Sequence, residues 1–423
     1  MKRLLFVLVI ILAVPAFVSA CPDQVIDPTT PPNPTTALQA AVNLAAGGCN
    51  VFLNRGPNGQ DTFVLTQTIV LPSNVTVTKW PDAPGTITIQ AGTNNDPAST
   101  TPTTFCDLTP DNRDVFCSNG KSGITIADLN FVPLSGQTVV KNPPDTNAGR
   151  EVWGVKNGGT ELLFHDNTIS NFTDGLFVEL DGTTGSNVFF HNNGVNLADR
   201  FPLCGTMPCG GNAAFTVVNC GSTGCTNASA SLTGIEFNGN TVVGPDSSIV
   251  RTNAVVGGIV FDDNSSVMNV EMKNNRVTQL DHGLFIAATC SVGSICNTVS
   301  GNRGDNNGNG LTVSRSAAAS CSPGPSPTDL PASGMSITKN TFNSNNFDGG
   351  CIAAYTGTPG NPSPDMVMKS NIFNGNKNQC LENFSGVGPT GSMPGPNICR
   401  GPGNNGTPPA PPGKGVHPGR GTT

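Results

Sequence analysis

Ile235-Glu236-Phe237-Asn238-Gly239-Asn240-Thr241-Val242 is the stretch on which the fold turns. Apolar residues at 235 and 237 flank an outward position, Asn240 stands at the turn that follows, and Val242 resumes the apolar series. The frame returns as Leu162/Phe164/Asn167/Ile169, Val188/Phe190/Asn193/Val195, Val270/Met272/Asn275/Val277, Met335/Ile337/Asn340/Phe342 and Met366/Met368/Asn371/Phe373, with a weaker copy at Asn297/Val299/Asn302. Alternation of this kind is the period of a strand with one buried face. Its return every 26 to 47 residues implies a solenoid in which each unit buries its apolar face against the next. The uneven interval places the extra residues in loops, because only loops absorb them while the strands stay in register.

A second short strand follows in most units, often entered through Gly: Gly175-Leu176-Phe177-Val178, Gly258-Ile259-Val260-Phe261, Gly283-Leu284-Phe285-Ile286 and Gly310-Leu311-Thr312-Val313. Gly and Asn suit the corners because they tolerate positive φ. Stacked coil on coil, each Asn of the repeat reaches the backbone carbonyl of its neighbour and satisfies a group that stacking buries. No unit carries an apolar run with helical spacing, which excludes leucine-rich and ankyrin-type repeats.

Upstream, residues 36–48 read as a short helix behind a Thr cap and before Gly47-Gly48. Strand-like runs follow at Cys49–Leu53, Phe63–Leu65, Thr68–Val77 and Thr86–Ile89. The run Gly123–Phe131 matches the repeat with Leu129 in the place of Asn. A helix over the first coil covers an edge that would otherwise template aggregation. The order of capping helix, Leu71-Pro72-Ser73-Asn74-Val75-Thr76-Val77 and Asn-turn coils resembles the pectin-lyase-like right-handed parallel β-helix superfamily, over about residues 37 to 384. The resemblance implies an all-β, single-stranded right-handed parallel β-helix of about ten coils. It leaves function open, since that superfamily holds lyases, hydrolases, epimerases, adhesins and non-catalytic proteins.

The rest of the chain sets the location. Residues 1–20 read as a signal peptide, with Lys2 and Arg3 before an apolar stretch. Val18-Ser19-Ala20-Cys21 resembles a bacterial lipobox, which implies lipid on Cys21; an ordinary signal peptide that happens to precede a Cys is the alternative. Residues 21–36 carry five Pro and read as a tether, and residues 385–423 as a Pro/Gly-rich disordered tail. An exported chain with 14 Cys points to disulfides. Proximity suggests Cys106 with Cys117, Cys204 with Cys209, Cys220 with Cys225 and Cys290 with Cys296, with Cys49 left as the odd one. No cofactor or metal site is expected. The net charge of −7 argues against nucleic acid as a partner.

The outward positions of the repeat run Thr125, Leu163, Phe189, Glu236, Glu271, Thr298, Ser336 and Val367. Glu236 and Glu271 fall in adjacent coils, about one strand spacing apart, close to the carboxyl separation of retaining glycosidases. Lys273, at the following turn, is placed to hold them. Two Glu on a solvated face are the plain alternative, and Leu163 and Phe189 point to a small apolar patch beside them. His165 and His191 share one turn position in adjacent coils. Asp281-His282-Gly283 resembles the His-Gly turn of the superfamily's hydrolases, but the accompanying Asn-Thr-Asp motif is absent. Asp262-Asp263 has no acid in the neighbouring coils to complete a calcium cage. Of the residues suited to stacking on sugar, the chain has only Trp80, Trp153 and Tyr355. The expectation is an exported, lipid-anchored envelope or surface β-helix that serves as a non-catalytic binding or adhesion scaffold, with envelope or extracellular polysaccharide as its partner. A hydrolase or lyase of acidic glycans is the alternative.

Overall fold

The computed structural model describes residues 21–91, 114–133, 151–172, 175–180, 186–197, 203–204, 207–208, 212–219, 231–244, 256–263, 267–287, 295–313, 334–345, 348–352, 366–376, 379–383 and 398–400. They form a right-handed parallel β-helix with three long sheets. Sheet A has eleven strands, from Gln24–Ile26 to Met366–Lys369. Sheet B has eleven, from Thr62–Leu65 to Ile398–Arg400, and sheet C has ten, from Ile69–Val70 to Gln379–Asn383. The chain visits A, then B, then C in each turn, and every pairing within these sheets is parallel; the short pair Leu203–Cys204 with Met207–Pro208 is antiparallel.

Side-chain alternation produces this architecture. Val188, Ile235 and Val270 are in register on sheet A and fully buried, as are Phe190, Phe237 and Met272. Like stacks on like: Phe190 lies 5.0 Å from Phe237, and Phe342 lies 5.7 Å from Phe373. Removing a continuous column of apolar side chains from water, at roughly 25 cal/mol per Å² buried, supplies the main cohesion between coils.

The corner between sheets A and B is an αL residue followed by Asn. Asp166, Asn192, Asn274, Lys339 and Ser370 take the αL position with φ of 55 to 59°. Gly239 takes it at +71°, where a Cβ would come within 2.5 Å of Asn192 Oδ1. The following Asn is buried in every case. Asn193 Oδ1 accepts from Asn167 N (3.0 Å), and Asn193 Nδ2 donates to Phe164 O (2.9 Å) and to Asn240 Oδ1 (3.0 Å). The same bonds carry the column through Asn240, Asn275, Asn302, Asn340 and Asn371. Leu129 N donates to Asn167 Oδ1, so Leu129 does occupy the ladder position above the first Asn. The longest interval hides no further coil, because Asn193 bonds directly to Asn240.

Both termini of the rod differ from the sequence reading. Helix α1 (Pro34–Leu44) is capped by Asn33, whose side chain accepts from Thr36 N; it starts two residues ahead of the Thr expected to cap it. Residues 24–26, expected in the tether, form the edge strand of sheet A and pair with Val51–Leu53. Cys21 is joined to Cys49 by a disulfide, so neither sulfur is left over. The sulfur expected to carry lipid thus stands in that disulfide in the structure. At the other end Ile398–Arg400 pairs with Ile372–Asn374, which extends the rod into residues assigned to the tail. Cys117 and Cys296 are also disulfide-bonded. Their expected partners Cys106 and Cys290 lie outside the described residues, as do residues 1–20 and Tyr355.

Candidate functional site

On the outward face of sheet A two columns of side chains run along the rod. The first is Thr125, Leu163, Phe189, Glu236, Glu271, Thr298, Ser336 and Val367, as the strand period requires. The second is Ala127, His165, His191, Asn238, Lys273, Ser300 and Thr338. In the first column the apolar pair Leu163 and Phe189 is followed by a polar run from Glu236 to Ser336.

Glu236 and Glu271 are directly in register on neighbouring strands, about 4.8 Å apart at the backbone. Each is partly exposed, 34% and 30% at the side chain, and each has its own cationic or titratable partner. His191 Nε2 lies 3.2 Å from Glu236 Oε2, without the alignment of a hydrogen bond, which leaves this shielded ring nitrogen unpaired. Lys273 Nζ is ion-paired with Glu271 Oε2. The Phe189 ring packs 5.5 Å from His191 and closes the site on its apolar side. The sequence therefore names Glu236, Glu271 and Lys273 correctly as neighbours. His191 joins the Glu pair instead of forming a histidine pair with His165, because His165 Nδ1 bonds Asp166 Oδ2 at 2.7 Å.

His282 is not a surface turn residue. It is buried, its Nδ1 lies 2.8 Å from Thr312 Oγ1, and its ring packs edge-on against Phe285. Burial disfavours the imidazolium and lowers its pKa to about 4, so the ring is neutral at pH 7. Asp262 is in register with Val218 and Ala287, so no acid stands opposite it on either adjacent strand. Trp153 is fully buried with its Nε1 donating to Ser118 Oγ (3.3 Å), and Trp80 packs edge-to-face on Phe52; neither is near the Glu pair in the strand order.

A second polar site joins two arginines that the sequence offers only as possible lyase bases without an acid cluster. On the outward face of sheet B, Arg276 and Arg303 are in register on adjacent strands, above Asp305 and Asn343. The side chains line a cleft of about 280 Å³ with Thr278, Asn306 and Ser344. Positions 276 and 303 each follow a ladder Asn directly, a placement that the sequence does contain.

No protein-family model matches the chain, and no curated protein does. Solved structures with a similar course of chain include a polygalacturonase from Erwinia carotovora ssp. carotovora, 12% identical, covering 87% of this chain and 93% of its own, with a TM-score of 0.49. The A-module of a mannuronan C-5 epimerase from Azotobacter vinelandii is 13% identical over 85% of this chain and 76% of its own, with a TM-score of 0.36. The catalytic unit of an α-1,3-glucanase from Streptomyces thermodiastaticus is 11% identical over 88% and 64%, with a TM-score of 0.33. All three are enzymes that act on polysaccharides. The names of these neighbours do not match the expectation of a non-catalytic binding or adhesion scaffold; at such identities the likeness itself is one of fold.

Proposed function

We propose that the protein is a polysaccharide-processing enzyme whose reaction runs on the outward face of sheet A, between Glu236 and Glu271. One observation carries this reading: two carboxylates fixed in register on adjacent strands, each with a different partner. Cleavage of a glycosidic bond needs one carboxyl group to give a proton to the leaving oxygen and another to attack the anomeric carbon or activate water. Glu271, ion-paired with Lys273, is assigned the role of nucleophile or base. Glu236, with His191 Nε2 3.2 Å from its Oε2, is assigned the role of proton donor. One strand spacing sets the pair near the separation of about 5 to 5.5 Å at which the second carboxylate acts as nucleophile and configuration is retained. An open face, and not a closed cavity, fits a polymer that must lie across several coils.

Export is part of the same proposal. The Cys21–Cys49 disulfide and the oxidised state of Cys117 and Cys296 support an oxidising compartment.

The test is incubation with a panel of acidic and neutral polysaccharides, followed through reducing ends and through the absorbance of unsaturated products. Glu236→Gln and Glu271→Gln should each lower turnover by about two to four orders of magnitude, with stability changed by no more than about 0.5 kcal/mol. Activity that survives both substitutions, or wild-type protein inert on the whole panel, would overturn the assignment.

A further inference from the structure

We propose that the outer face of sheet B carries an anion-binding cleft, built on Arg276 and Arg303, that holds the carboxylate or sulfate ester of an acidic polysaccharide. The ligand class rests on the polysaccharide reading above; the site itself does not require cleavage by the Glu pair.

The register fixes the two guanidinium-bearing residues about one strand spacing apart. Both are exposed, Arg303 by 55%. Like charges held in register repel, and an anion bridging them turns that repulsion into attraction. A single carboxylate serves the two cations from within the cleft. Asp305 is ion-paired with Arg303 through Nε and Oδ2, and Asn343 Nδ2 donates to its Oδ1 at 3.0 Å. This leaves the terminal nitrogens of Arg303 for a ligand. Among the described residues no carboxylate pairs with Arg276. Thr278, Asn306 and Ser344 complete a lining that includes no aliphatic or aromatic residue. A hydrated, multiply hydroxylated anion suits such a wall, and an apolar ligand does not.

Position ties this cleft to the carboxylates. Glu271 and Lys273 lie on sheet A and Arg276 on sheet B of one coil, on the two sides of the Asn274-Asn275 corner. A polymer crossing that corner touches both. Because the chain as a whole carries a net charge of −7, an acidic polymer meets general repulsion, and a local cationic pair supplies the missing attraction.

Affinity electrophoresis of the full chain through gels containing polygalacturonate, dextran sulfate or uncharged dextran reads the site directly. Retardation by polygalacturonate alone identifies a carboxylate ligand, and retardation by dextran sulfate alone a sulfate ligand. In either case the Arg276→Ala/Arg303→Ala double variant should bind at least about fivefold more weakly, and the Lys/Lys variant should recover part of the loss. Asp305→Asn, which removes the competing carboxylate with little change of shape, should tighten binding about twofold or more. Glu236→Gln/Glu271→Gln should leave retardation intact even where it removes products, which separates this site from the proposed catalytic one. Equal retardation by uncharged dextran, no retardation by either anionic polymer, or a double alanine variant that binds like wild type would overturn the proposal. Asp305→Asn keeps the test decisive should the double variant unfold.

Discussion

The corners on the two sides of sheet B use the same device over very different lengths. Between sheets A and B the buried Asn runs unbroken through seven coils, from Asn167 to Asn371. Between sheets B and C it occupies three, Asn307, Asn345 and Asn376, each again behind an αL residue: Asn306, Ser344 and Gly375. In earlier coils that second corner is apolar, with Phe172 and Leu280 buried in the core. Leu280 N, at the junction, donates to Asn307 Oδ1 at 3.1 Å. One corner is thus a continuous amide column, and the other tolerates a change from packing to hydrogen bonding. The second corner also carries a buried titratable group two residues on, His282, which the first lacks among the described residues.

The largest expected effect lies in the continuous column. Asn275 accepts from Asn240 N and Nδ2, and it donates to Phe237 O and Asn302 Oδ1. Asn275→Leu leaves several buried groups without partners at about 1 to 3 kcal/mol each, so a total near 4 kcal/mol is expected. Urea denaturation measures it, and a loss under about 1 kcal/mol would remove the special status of the column.

Acid should separate the corners next. The pKa of His282 is about 4 when folded, against 6.5 for the free side chain. Below pH 6.5 the unfolded chain takes up a proton that the folded ring refuses, so stability is complete above pH 6.5 and falls as the pH drops towards 4. The difference amounts to about 3 kcal/mol. Hydrogen exchange should lose protection at 280–286 and 307–313 before it does at the Asn of the first corner. His282→Gln should flatten the pH dependence in that window, and an unchanged slope would show that other groups cause it.

A smaller effect is expected for Asn345→Leu, about 2 kcal/mol, because Leu280 shows that this corner accepts leucine. A loss as large as that of Asn275→Leu would abolish the contrast. The smallest belongs to Asn376→Ala, the last described rung, at about 1 kcal/mol, read from the shift in thermal midpoint.

The first corner was legible because its frame combines alternating strand residues with an Asn over seven copies. The second was not, although its signal is present: Asn302 and Asn307, Asn340 and Asn345, Asn371 and Asn376 repeat one short separation. Three copies beside Phe172 and Leu280 do not make a period. At the candidate site, Glu236, Glu271 and Lys273 followed from counting along the strand. The pairing of His191 with Glu236 did not, since it depends on which way a ring turns. Arg276 and Arg303 were visible in the sequence only as isolated candidate bases without an acid cluster, because their cleft depends on two strands being adjacent, and this adjacency appears only once the coils are stacked. The disulfide of Cys21 was hidden by the lipobox-like residues that precede it.

The Asn columns also govern how the rod gives way under force. Tension applied at the two ends loads only the outermost coil, since every rung bonds its immediate neighbours and nothing described ties distant coils together. The protein should therefore unspool one turn at a time. Its extension trace would show steps set by the rung intervals of 26, 47, 35, 27, 38 and 31 residues. At about 3.5 Å per extended residue these run from about 90 to about 165 Å. The sequence spacing that reveals the fold would then be written out again as a ruler in a pulling experiment.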